Sequence, residues 1–147
     1  MTDKYFIDTN ILVYTFDDLQ PQKKQIALAL VANALQTESG MISWQVLQEF
    51  LNVSTRKFKT PLKAEDAKIY LLKVLDPLCR VFPGVELYAS ALEISQQTGY
   101  SFYDALILAG AKEGECKIVY SEDLQHEQVV NGVKIINPFK SESTPSG

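Results

Sequence analysis

The chain has 147 residues, with fourteen Lys and Arg against eighteen Asp and Glu, for a formal net charge of −4. That length corresponds to one domain that can bury a core without disulfide or metal staples. A composition of 46% apolar and 22% charged residues excludes bulk disorder, and the acidic balance argues against binding nucleic acid by charge alone. Cys79 and Cys116 are too few and too far apart for a disulfide framework or a C-x-x-C metal motif, so a reduced, cytoplasmic setting is expected. Asp3, Lys4 and Asp8 stand where a signal peptide needs an unbroken apolar run. The most apolar stretch, Ile26 to Leu35, spans ten residues and contains Asn33, short of the roughly 20 that a membrane span requires.

In chain order, Tyr5-Phe6-Ile7 reads as a short strand that stops at Asp8-Thr9-Asn10, residues that favour helix caps. A strand thus feeds a helix with a carboxylate at the junction. Pro21 to about Glu38 reads as a helix ended by Ser39-Gly40, and Met41-Ile42 as a second strand. Ser43 is the expected cap of a helix running to about Lys57, with Leu47, Phe50, Leu51 and Ser54 at helical spacing. A helix from Ala64 to about Leu75 is expected to close at Asp76-Pro77. Cys79 to Phe82 is a third strand, Val85 to Thr98 a helix with Gly99 at its carboxyl end, and Tyr103 to Glu113 another helix. Lys117 to Tyr120 and Val133 to Ile136 complete the strands, the last following the turn signal Asn131-Gly132. The segment 1–140 is expected to form a single domain, and the tail from Ser141 to Gly147, which has no large apolar residue, to be disordered. Strands alternating with helices imply βαβ units and a mostly parallel sheet covered on both faces. Ligands of such sheets bind at the carboxyl ends of the strands, at a topological switch point.

Four acids have settings unlike those of surface acids. Asp8 lies between the runs Phe6-Ile7 and Ile11-Leu12-Val13, and Glu49 is at the margin of an apolar helical stripe bounded by Val46 and Val53. Asp104 precedes the apolar body Ala105 to Ala109, and Asp123 follows a strand and the hydroxyl of Ser121. Each also has an ordinary reading: helix cap, half-exposed helix residue, first-turn charge and turn residue, respectively. If the four converge, their repulsion amounts to several kcal/mol at an effective dielectric of about 20, and a cation must relieve it. Hard oxygen donors select Mg²⁺ or Mn²⁺, and a single histidine, His126, excludes a histidine-based zinc site. The matching chemistry is two-metal hydrolysis of a phosphodiester.

The segments Phe6 to Tyr14 (FIDTNILVY), Gln48 to Phe50 (QEF), Tyr103 to Ala109 (YDALILA) and Ser121 to Leu124 (SEDL) together resemble the PIN-domain ribonucleases, and more narrowly the VapC toxins of toxin–antitoxin pairs. The resemblance runs from Tyr5 to Phe139 in the family's order and spacing. It implies a three-layer α/β/α sandwich with a mostly parallel central sheet, and an endoribonuclease dependent on Mg²⁺ or Mn²⁺. By position, Asp8, Glu49, Asp104 and Asp123 match the metal-binding acids, Asn10 the polar residue after the first acid and Ser121 the hydroxyl before the last. Between the adjacent acids Glu122 and Asp123, the family's pattern of hydroxyl, any residue, Asp selects Asp123, on the view that neighbours cannot both face one site. The resemblance also implies an antitoxin partner that covers the acids with a basic side chain, and a homodimer.

Candidate RNA contacts are Arg56, Lys57, Lys59 and Lys63, four cations within eight residues with no acid among them. Their alternative is a solvated helix end favoured by the dipole. His126, just past Asp123, is a candidate proton donor or phosphate contact, against the ordinary reading of a loop histidine. Tyr14, Trp44 and Tyr103 are candidates for base stacking or for the core. A haloacid-dehalogenase-like phosphatase needs a second Asp two positions after the first, where this chain has Asn10, and a response-regulator receiver needs acidic partners beside the first strand and a late Lys that this pattern lacks. A PIN-like binding module that has lost its activity is the remaining alternative, and retention of all four acids argues against it. Setting those four aside leaves acids and bases in balance, so the net acidity reads as the signature of a metal site that two divalent ions would neutralise.

Overall fold

Tyr5, Phe6 and Ile7 are all buried, the pattern of a strand covered on both faces. The computed structural model, which describes residues 3–140, explains the cover. Successive strand residues point to opposite faces. The Tyr5 ring reaches the helix α2 (Pro21–Thr37), donating its hydroxyl to the Leu30 carbonyl at 2.8 Å and accepting from Asn33 Nδ2 at 2.9 Å. Phe6, on the other face, meets Gly110 of α7 (Phe102–Glu113). The strand β1 (Tyr5–Ile7) is therefore the middle layer of an α/β/α sandwich.

Around β1 the sheet has the order β3-β2-β1-β4-β6-β5, formed by β2 (Gly40–Ser43), β3 (Cys79–Val81), β4 (Ile118–Tyr120), β5 (Val129–Val130) and β6 (Val133–Ile136). Every pairing is parallel except β5 with β6. From β1 the chain builds outward through β2 and β3, then crosses to the opposite side for β4 and β6. The switch point thus falls between β1 and β4, where Ile7 pairs with Tyr120. Asp8 and the Ser121-Glu122-Asp123 corner leave the sheet there side by side.

The remaining helices are α1 (Thr9–Tyr14), α3 (Trp44–Arg56), α4 (Ala64–Tyr70), α5 (Asp76–Leu78) and α6 (Val85–Thr98). Ser43 caps α3 by accepting from the Val46 amide at 3.3 Å, and Gly99 ends α6 with φ 82°, both as the sequence implies. Rings of Phe16, Phe50, Phe58 and Tyr70 pack together, with centroids 4.9 Å apart for Phe50–Tyr70 and 5.2 Å for Phe16–Tyr70. This cluster fixes α3 against α1 and α4, and α3 carries Glu49.

Three expectations change. The helical path does not close at Asp76-Pro77: Leu71–Leu75 forms a π-helical turn, with the Asp76 amide bonding the Leu71 carbonyl, and Pro77 enters the first turn of α5, where its missing N–H costs nothing. Asn131-Gly132, with φ of 49° and 83°, joins β5 to β6 as a tight hairpin, so Val129–Val130 is a strand that the turn signal alone did not reveal. The left-handed residue that ends α2 is Glu38, with φ 61°, and Gly40 belongs to β2. The tail expected to be disordered, 141–147, lies outside the described residues.

Gly40 is fixed by close approach. A Cβ there would stand 2.4 Å from the Ala34 Cβ and 2.7 Å from the Tyr5 ring. Gly40→Ala is expected to lower stability by about 2 kcal/mol or more, from overpacking between β2 and α2. Denaturant melts that coincide with wild type would show that this layer yields.

Candidate active site

At the switch point Asp8 acts as the N-cap of α1. It is buried, and both its oxygens are engaged: Oδ1 accepts from the Thr9 amide at 2.7 Å, and Oδ2 from Ser121 Oγ at 2.7 Å and Asn10 Nδ2 at 3.2 Å. Burial pushes its carboxyl up to about 6. The bonds from Ser121 and Thr9 oppose that rise, and the charges of Asp123 and Glu49 add to it.

Asn10 joins the two strand ends. Its Nδ2 donates to Asp123 Oδ2 at 3.1 Å as well as to Asp8, and its Oδ1 accepts from the Glu122 amide at 3.1 Å. Ser121 accepts from the Asp123 amide at 3.1 Å while donating to Asp8. Glu49 is reached from the same turn, since Thr9 Oγ1 donates to its Oε1 at 2.8 Å. Asp104 arrives on the first turn of α7, which Ser101 caps at 3.2 Å through the Asp104 amide. Asp8, Glu49, Asp104 and Asp123 all line one cleft of about 470 Å³, together with Asn10, Tyr14, Gln45, Asn52, Lys57 and Tyr103.

The donor chemistry suits a hard divalent cation, since the cleft wall presents carboxylate, amide and hydroxyl oxygens and neither imidazole nor thiolate. Among the described residues no three His, Cys, Asp or Glu side chains are close enough to enclose an ion. The acids line an open cleft, and a tight coordination shell requires rotation of Glu49, Asp104 and Asp123. The first two of these are half-buried and the third exposed, which leaves them room to turn.

Glu122 also lines the cleft, so the two adjacent acids do share it, contrary to the expectation that neighbours cannot both face one site. They are told apart by partners. The Glu122 carboxylate accepts from Tyr14 OH at 2.5 Å and pairs with Lys23 Nζ at 2.6 Å. Burial opposes its charge, but these two donors prevail and hold its carboxyl below the usual range. Lys23 also lies over the rings of Tyr14 and Phe139, at 4.9 and 5.4 Å. Glu122 is thereby committed to a structural clamp between α1, α2 and the corner, and Asp123 remains for the cleft.

Of the candidate RNA contacts only Lys57 lines the acidic cleft. Lys59 and Lys57 together line an adjoining cavity with Phe16, Phe58 and Val13, whereas Arg56 and Lys63 line neither. His126 is not in the cleft wall: its Nδ1 accepts from the Asn137 amide at 2.9 Å, which fixes the loop after β4 to the end of β6. Thr9, Gln45 and Lys23 were not singled out by sequence. Gln45 stands one helical turn before Glu49, a signal that was available.

A PIN-domain family model matches residues 5–131, and the chain belongs to that family. Similar solved structures include a toxin–antitoxin complex from Klebsiella pneumoniae, with TM-score 0.67 and 18% identity over 94% of this chain and 100% of that one. A DNA-bound VapBC from Salmonella typhimurium aligns with TM-score 0.62 and 19% identity, over 91% of this chain and 97% of that one. VapC20 from Mycobacterium tuberculosis, a sarcin–ricin loop cleaving toxin, aligns with TM-score 0.59 and 18% identity, over 82% and 90%. At these identities the likeness concerns the fold. No curated protein matches the sequence significantly.

The raised Asp8 carboxyl sets a pH dependence. A carboxyl whose folded pKa lies above its unfolded value contributes stability below about pH 4 that is lost as pH rises through about 6. In EDTA, wild type is therefore expected to lose on the order of 2 kcal/mol between pH 4 and 7 from this group. Asp8→Asn should flatten that slope, as read by denaturant melts across the range. An identical slope in the variant would show that Asp8 is charged without penalty.

Proposed function

We propose that this chain is an endoribonuclease dependent on Mg²⁺ or Mn²⁺, and the toxin of a type II toxin–antitoxin pair. The observation that carries the reading is the placement of Asp8, Glu49, Asp104 and Asp123 around one cleft at the switch point. The sarcin–ricin loop cleavage named for VapC20 supports RNA as the substrate class. The segment 1–140 acts as one domain in this reading, in a cytoplasmic setting; among the described residues no helix is long and apolar enough to cross a membrane.

The four acids would hold the metal, one ion or two. When bound, the metal supplies an activated water and charge neutralisation at the scissile phosphate. The chain's own residues hold the geometry. Asn10 ties the carboxylates of Asp8 and Asp123 together, Ser121 orients Asp8, and Thr9 orients Glu49. Lys57 at the cleft wall takes a phosphate oxygen of the substrate, and Lys59 extends that contact along the strand. In the apo state Asp8 carries its own proton below about pH 6, so activity falls with acid as metal and proton compete for the same oxygens.

An antitoxin would cover the acids with a basic side chain. The family resemblance supports a homodimer as the toxin's own assembly.

Incubation of the purified chain with structured RNA is expected to give cleavage in Mg²⁺ or Mn²⁺ and none in EDTA. Asp104→Asn, at a half-buried position on a capped helix, is expected to fold as wild type and lose at least about a hundredfold in rate. Cleavage that persists in EDTA or in Asp104→Asn would defeat the metal reading. Lys57→Ala with Lys59→Ala is expected to weaken binding and to lower the slope of log affinity against log salt by about 0.7 for each phosphate no longer neutralised. An unchanged slope would remove both lysines from the RNA path.

A further inference from the structure

Five acids line the cleft, and one of them is paired. Among the described residues Glu122 is the acid of the cleft wall with an ion-pair partner, Lys23, whereas Asp8, Glu49, Asp104 and Asp123 have none. Both Glu122 oxygens are taken, Oε1 by the Tyr14 hydroxyl and Oε2 by Lys23 Nζ. Lys23 Nζ also donates to the Tyr14 oxygen at 3.3 Å, so the three groups close a triangle.

Lys23 holds this place against the local field of its own helix. It stands in the first turn of α2, where the helix dipole favours acids over cations and where α2 has no acid. What offsets that cost lies outside the helix: the Glu122 carboxylate, and the rings of Tyr14 and Phe139, which meet edge to face with centroids 4.8 Å apart beneath the ammonium.

The carboxylate that Lys23 holds belongs to the metal-site corner. The Glu122 amide donates to Asn10 Oδ1 at 3.1 Å, and Asn10 Nδ2 bonds both Asp8 and Asp123. The backbone of Glu122 is therefore pinned to the same network as the four unpaired acids, and its side chain alone is drawn away to α2.

The number of carboxylates decides which cation fits such a site. Mg²⁺ demands near-octahedral geometry, keeps several waters and is held by one or two carboxylates, whereas Ca²⁺ takes roughly six to eight oxygens in a flexible shell. A fifth free carboxylate would add donors that Ca²⁺ can use and Mg²⁺ cannot. Building on the metal-dependent reading, we propose that Lys23 is a positioning residue that sets the cation selectivity of the cleft: by withholding Glu122 it keeps the donor set at four carboxylates and favours Mg²⁺ over Ca²⁺. Tyr14 supports it by occupying the other oxygen of the same carboxylate.

The test is isothermal titration calorimetry of the metal-free full chain with MgCl₂ and, separately, with CaCl₂. Lys23→Met keeps a long apolar stem and releases Glu122. It is expected to shift the ratio of Ca²⁺ to Mg²⁺ affinity toward Ca²⁺ by at least about fivefold. Lys23→Arg is expected to keep the wild-type ratio, and Glu122→Gln added to Lys23→Met to restore it. Loss of one positive charge acts alike on two ions of equal charge, so affinities that rise together at a constant ratio would overturn the proposal in favour of charge at a distance. Affinities that fall together would overturn it in favour of Lys23 as a prop for the corner, and a ratio shift that survives Glu122→Gln would overturn it because the carboxylate would not be the cause. Failure of both ions to bind wild type and variants would remove the metal reading and the proposal with it. The expected ratio shift in a protein that leaves RNA uncut in Mg²⁺ would keep the proposal and remove the nuclease reading.

Discussion

A carboxylate buried at the end of the central strand is the constraint around which this molecule is arranged. Burial raises the Asp8 carboxyl to about 6, and the fold tolerates its charge by giving it the Thr9 amide, the Ser121 hydroxyl and the Asn10 amide as donors. Hydrogen bonds to a charged group are worth about 1.5–3 kcal/mol each, so these donors offset much of the cost of burying the charge. Those same donors set the rest of the site. Asn10 reaches Asp123 and the Glu122 amide, and Thr9 reaches Glu49, so the first turn of α1 is in contact with three of the four acids at once.

The topology explains why these groups meet. Consecutive additions on one side of β1 and a crossover to β4 on the other leave a crevice between two strand ends, and both ends carry acids. The flanking layers add the other two: α3, braced by the Phe16, Phe50 and Tyr70 rings, carries Glu49, and α7, packed through Gly110 against Phe6, carries Asp104. Glu122 shows the same economy from the other side. Its pairing with Lys23 and Tyr14 turns an extra negative charge into a clamp on α2, and so keeps it from adding to the repulsion in the cleft.

Strand and helix order were legible in the sequence because their signals are local: apolar runs ended by Asp8, Ser43 as a cap, Gly99 in the left-handed region. The π-helical turn before Pro77 and the two-residue strand before Asn131 were not, since both depend on how a neighbouring segment is placed. The four acids could be chosen from their flanks, but their approach could not be read until topology set β1 beside β4. Lys57 differs from Arg56 and Lys63, and Glu122 from Asp123, only in direction, which adjacent positions in a sequence do not disclose. His126 stands out as the lone histidine near Asp123, whereas its Nδ1 accepts from the Asn137 amide and its ring is outside the cleft wall.

The central claim is that the acids of the switch point share a divalent cation. Anomalous diffraction from crystals soaked in Mn²⁺ tests it most directly. Anomalous density is expected in the cleft, within coordination distance of Asp8 and at least two of Glu49, Asp104 and Asp123, and its loss is expected in Asp8→Asn. A cleft without that density at saturating Mn²⁺, or density unchanged in Asp8→Asn, would contradict it.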